Sequence, residues 1–246
     1  MNTNLSYRQR LLGVLSAVAI LLGLLAPTPA HLAQAAGNPN PRVLPPNSHP
    51  YGYSYEEWAG KWWQWVAPIP VHDANGNFLN PAFDTTGEHC AEGQSGPVWY
   101  LAGTFLGGPT TRNCTVPTGK AILFPIFTVE CSVVEPDPFH GNNEAELRSC
   151  ARGFTDLVIH SVTDLEASVD GRELTDLFSS YRFTSPLINP LEYAEENVLF
   201  VPGPGITQSV ADGFYVMLAP LPPGQHTIQF ATADGFQNVT YNLTVR

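Results

Sequence analysis

This sequence is poor in positive charge: lysine occurs only at positions 61 and 120, and no basic cluster exists anywhere. Without one, the chain lacks the means to neutralise phosphates, which excludes nucleic acid and anionic lipid headgroups as partners. No C-x-x-C pair, Cys/His zinc spacing, G-x-S-x-G elbow or phosphate-cradling glycine loop is present. H-x-H and H-E-x-x-H are missing too, and no repeat of fixed period is evident. No apolar run reaches the roughly twenty residues needed to cross a bilayer. Known catalytic signatures are therefore not the route to function here.

What is present begins with Arg8 and Arg10, an apolar run from Leu11 to Leu25, and a small-residue tail ending Ala33-Gln34-Ala35. That is the layout of a secretory signal peptide over residues 1–35, cleaved after Ala35. It predicts a secreted or periplasmic protein with no membrane span after removal. No lipobox cysteine follows, so no lipid anchor is expected. Removal leaves nine Lys/Arg against 22 Asp/Glu, a formal charge of −13. A solvated acidic surface keeps such a protein soluble. Residues 36–50 read as a proline-rich spacer, and 51–246 as a single domain.

Four cysteines in an exported chain predict two disulfides. Three connectivities are open. Pairing Cys90 with Cys114 and Cys131 with Cys150 is favoured because it joins sequence neighbours, each loop being worth about 3 kcal/mol in the chain-entropy model.

Ser54-Tyr55-Glu56-Glu57 has capping-box form, and the helix it opens, YEEWAGKWWQWVAP, is halted by Pro68. Tyr55, Trp58, Trp62 and Trp65 share one face, with Glu57, Lys61 and Gln64 opposite. A second helix is predicted near 144–158, begun by Asn142 or Asn143, with Leu147, Cys150, Ala151, Phe154 and Leu157 on one side. Elsewhere the period approaches two. Strands are predicted at 98–105, 121–130, 165–169, 198–201, 214–219, 226–231 and 239–245. Pro125 assigns the second to an edge or a bulge. Turn signals at Asp170-Gly171, Pro222-Pro223-Gly224 and Asp234-Gly235 separate the runs. The fold class that follows is mainly β: a β-sandwich, immunoglobulin-like or jelly-roll-like, with the Trp-rich helix and the second helix added.

The stretch LPPGQHTIQFATADGFQNVTYNLTV resembles the final hairpin of bacterial immunoglobulin-like sandwich domains. SYEEWAGKWWQW, GQSGPVWYLAGTF, CTVPTGKAILFPIFTVEC and ADGFYVMLAPLPPGQHTI together resemble an uncharacterised family of exported bacterial proteins. That resemblance implies no activity and no catalytic residues.

Candidate sites rest on residue type and spacing. Exposed indoles in a row would stack on sugar faces; buried ones would form the core. Trp63, Gln64 and Trp99 are the candidate binding residues, Trp63 being the tryptophan best placed for exposure. Asp73, Asn75 and Asn77 alternate as in a calcium loop, with Asp84 at its twelfth position. Phe78 replaces the glycine of such loops, and an Asn-Gly turn explains the residues without metal. Calcium is the cofactor this loop pattern allows, the default being none; a transition ion on His72 and His89 with Glu88 or Asp73 lacks a supporting spacing. His72 and His89 flank the segment. Glu130, after the apolar run FPIFTV, is the candidate catalytic acid because such neighbours disfavour its charge. Glu57, Asp84, Glu88 and Asp212 are candidate partners. Asn113, Asn238 and Asn242 open N-x-T triplets, relevant to a glycosylating host. Three functions remain open: an exported binding or cell-envelope module, carbohydrate being the favoured ligand; a polysaccharide hydrolase or lyase using Glu130; and a purely structural envelope protein.

Overall fold

The computed structural model describes residues 40, 42–161 and 164–246. The signal-peptide reading of residues 1–35 lies outside them. Among the described residues the strands are β1 (Val98–Tyr100), β2 (Gly108–Val116), β3 (Ala121–Ser132), β4 (Leu165–Val169), β5 (Arg172–Glu173), β6 (Arg182–Thr184), β7 (Ile188–Tyr193), β8 (Gly205–Leu218), β9 (Gly224–Thr232) and β10 (Gln237–Val245). The α-helices are α1 (Tyr55–Val66), α2 (Glu144–Ser161) and α3 (Leu177–Ser180). One sheet runs β1-β3-β8-β6, with β7 also on β8; the other runs β2-β10-β9-β4-β5. The two mixed sheets pack face to face, so the molecule is a mainly β, sandwich-like fold, as the turn spacing and alternation predict.

The alternation is clearest in β10. Val239, Tyr241, Leu243 and Val245 are buried, while Asn238 and Asn242 are exposed. Between the sheets, Phe124 of β3 stacks on Phe230 of β9 with ring centroids 5.1 Å apart, and Tyr241 lies beyond at 6.3 Å. Burying each such ring contributes about 1.5–3 kcal/mol. The cysteines pair as Cys90–Cys114 and Cys131–Cys150, and the second bond ties α2 to β3.

Helix α1 starts at the predicted capping box: Glu57 N donates to Ser54 Oγ, and Ser54 N to Glu57 Oε2. Lys61 sets its ammonium 3.8 Å from the Tyr53 ring centroid. In α2 the side chain of Asn143 accepts from Glu146 N. Its buried seam is Leu147, Ala151 and Thr155, and Leu157, predicted on the buried side, is 66% exposed. The hydroxyl of Thr155 is buried because it donates to the Ala151 and Asp212 carbonyls, a role that apolar periodicity does not register.

Strand β8 is the longest, at 14 residues. One side pairs with β3; the other takes β7, β6 and an isolated bridge from Val43 to Leu218 in succession. The described part of the proline-rich segment is thus packed, not a free spacer. Leu44 N donates to Met217 O and Ala219 N to Arg42 O, while Asn40 Nδ2 donates to Thr175 O and the Tyr181 hydroxyl.

Pro125 sits at a bulge in β3, where the register against β8 shifts between Pro125 and Phe127. Lacking an N–H, proline fits the ladder only at such an interruption. The bulge presses the Phe127 carbonyl toward Gly213, where a Cβ would stand 2.3 Å from that oxygen. Residues 198–201, predicted as a strand, form a turn built on Asn197. Its Nδ2 donates to Ala194 O and Val201 O, and its Oδ1 accepts from Leu199 N. A side-chain amide that replaces backbone partners competes with strand pairing.

Candidate functional site

Beyond Leu123, β3 loses its β1 partner, because β1 pairs only with Ala121–Leu123. Along the following stretch, Pro125 to Glu130, the strand forms one wall of a cavity of about 440 Å³. Trp62 of α1, the loop 103–105, the Asn197 turn, Glu135 to Phe139, and Phe236-Gln237 close the rest. Its rim carries Phe200, 72% exposed, and Phe236, 47% exposed. Phe200 has φ +56°, a left-handed conformation that is unusual for a bulky residue. The Asn197 turn imposes it and directs the phenyl ring to the mouth. Gln237 fixes the opposite wall: its Oε1 accepts from Thr104 N and its Nε2 donates to Thr104 O, both at 2.9 Å.

Two carboxyls stand in this apolar wall. Glu130, opposite Ala211 on β8, is only 4% exposed, and its carboxyl lies in hydrogen-bonding contact with that of Glu135. The chain returns to Glu135 by a short turn after β3, in which Ser132 Oγ donates to Glu135 Oε2 at 2.8 Å. Burial pushes the Glu130 pKa well above the usual 4.5, and the neighbouring negative charge of Glu135 adds to the rise. Glu135 is raised by burial as well, against the lowering effect of its contacts with Glu130 and Ser132. The Ser209 hydroxyl beside Glu130 eases the rise without forming a well-directed hydrogen bond, and Glu130 Oε1 is buried with no partner. Neither Lys, Arg nor His lines the cavity among the described residues. Two acids in contact cannot both ionise cheaply there, so the pair holds a proton between them.

The other sequence-selected residues lie elsewhere. Trp63 is buried, not exposed, and its Nε1 donates to Thr128 Oγ1 at 3.1 Å. Trp58, Trp62 and Trp65 are buried also, donating to the carbonyls of Pro50, Leu101 and Glu92. Trp99 is buried with its Nε1 unpartnered. Gln64 is exposed and donates to Pro190 O. The stripe of indoles is core, and Trp62 alone among them reaches the cavity.

Asp73 accepts from the backbone of Asn75 and Asn77 through Oδ1, and the Asn77 contacts foremost lower its pKa. Burial raises the Asp84 pKa, but the donors of Thr86, His89 and Gly87 outweigh that and lower it. These oxygens hold turns together, as an Asn-Gly turn requires. Among the described residues, no group of three or more His, Cys, Asp or Glu could hold a metal ion. His72 Nδ1 meets Glu196 Oε1 at 2.8 Å. Of the partners considered for Glu130, Asp212 is ion-paired with Arg182, Asp84 is held by its turn, and Glu57 caps α1. The actual partner, Glu135, was missed. The available signal was the C-S-V-V-E-P turn directly after the strand, which folds the chain back on Glu130.

No protein-family model matches this chain, and no curated protein or solved structure is significantly similar to it.

Proposed function

We propose that this is an exported binding module whose ligand occupies the cavity beside β3. One observation carries the reading: a buried, partnerless carboxylate oxygen, Glu130 Oε1, in the wall of an apolar cavity with aromatic residues at its rim. An unsatisfied buried acceptor costs about 1–3 kcal/mol, and a ligand donor would remove that cost. Two disulfides and the leader-like start support export, and no helix among the described residues is long and apolar enough to cross a membrane. A sugar ring stacked on a rim phenyl fits this reading; the apolar lining favours a ligand with a larger apolar body.

The hydrolase reading has less support. Glycosidase carboxyl pairs stand about 5–5.5 Å or 6.5–9.5 Å apart, whereas Glu130 and Glu135 are in contact. A neutral solvatochromic dye such as Nile red tests the binding reading. It should bind saturably at one site and weaken in Phe200→Asn, since asparagine accepts the left-handed backbone while removing the ring. Saturable binding indifferent to this change, or none, would overturn it.

A further inference from the structure

The cavity's charge balance identifies the ligand class, given the binding reading above. Its lining holds two carboxyls in contact and no cationic side chain among the described residues. In water this would matter little. In an apolar wall an uncompensated carboxylate is costly, so its counter-charge must come from a shared proton or from whatever enters. Glu130 Oε1 and the Ser209 hydroxyl beside it are both buried without a well-directed hydrogen bond. Most of the rest of the wall is apolar: Phe105, Ile126, Phe127 and Leu199 can contact only an apolar body.

We propose that the ligand is a cationic amphiphile: a protonated amine seated on Glu130 and Glu135, with an apolar, ring-bearing body against the phenylalanines. An ammonium supplies three N–H donors and the missing positive charge together. On binding it replaces the shared proton, so Glu130-H···Glu135⁻ plus R-NH₃⁺ gives both carboxylates on the ammonium and one proton released to solvent. The groups that face the pair set the pH dependence. Ser209 does not titrate in this range, and Ser132 donates to Glu135. His140 places its Nδ1 3.0 Å from the Glu135 backbone carbonyl oxygen and sits outside the cavity lining.

A matched series tests the proposal: 4-phenylbutylamine, 4-phenylbutanol and 4-phenylbutyrate, titrated into the mature protein, with binding read by calorimetry and by the fluorescence of the cavity-lining Trp62. The amine stays protonated throughout, as a lysine side chain does. It should bind about ten- to hundredfold tighter than the alcohol at pH 7.5, as expected for hydrogen bonds to a charged group. That preference should shrink at pH 5, where the pair keeps its proton. Calorimetry in two buffers of different ionisation enthalpy should detect the released proton. The double variant Glu130→Gln/Glu135→Gln, which leaves no carboxyl in the lining, should erase the preference while the alcohol still binds. Equal or tighter binding of the alcohol or the carboxylate by the wild-type protein would overturn the cationic assignment and leave the binding cavity standing. Failure of all three to bind, together with Nile red, would overturn the cavity itself. Because the pH and buffer arms use the unaltered protein, a variant that failed to fold would not rescue the proposal.

Discussion

Glu130 and Glu135 tie the stability of the molecule to pH through the protons they hold. Burial keeps both protonated above the usual 4.5, so beyond that pH the folded state binds more protons than the unfolded chain, and stability falls as pH rises. Asp84 and Asp170 act oppositely: their pKa values lie below the usual 3.8, so their contribution is complete above it and is lost in stronger acid. The protein should therefore show its highest thermal midpoint near the ordinary carboxylate range and a decline as pH rises above it. Glu130→Gln, which cannot ionise, should flatten the alkaline decline, and a decline of unchanged slope in thermal scans would show that other groups cause it. Glu130 was readable in advance because an acid after FPIFTV cannot avoid apolar neighbours. Glu135 was not, because proximity created by a turn leaves no periodic trace.

At the scale of elements, the helix α1 shows what a pattern does and does not decide. Its capping box and aromatic stripe specify a helix with one apolar face, and both are present. Whether that face meets solvent or protein depends on what covers it, which is non-local. Here each of the four helix indoles is buried and has an acceptor for its N–H. Acrylamide should therefore quench the native fluorescence weakly, and calcium should leave it unchanged; strong quenching would contradict the burial of the stripe. Strand β2 went unseen for a different reason. Its inward positions are Thr110, Arg112, Cys114 and Val116, so polar residues hold two of the places where apolar ones are expected. Arg112 is tolerated there because Nε donates to Asp84 O, and Nη1 to Ala102 O and the Tyr241 hydroxyl. Short strands β5, β6 and β7 borrow their regularity from longer neighbours and carry little pattern of their own.

Across the whole molecule, the second sheet joins strands far apart in the chain. Strand β2 has β10 as its only strand partner among the described residues, in parallel register from Gly108↔Gln237 to Val116↔Val245. Arg246 continues it, donating from its N to Val116 O and accepting from Thr118 N. A chain shortened to residue 236 should lose cooperative thermal unfolding in circular dichroism, since β2 and β9 would both face solvent along one edge; a sharp transition retained by that variant would show that the sheet stands without β10. Such distant pairing is slow to form. It also makes β10 a lock that turns only once synthesis has passed residue 245: until then β2 offers a bare edge and the second sheet cannot close.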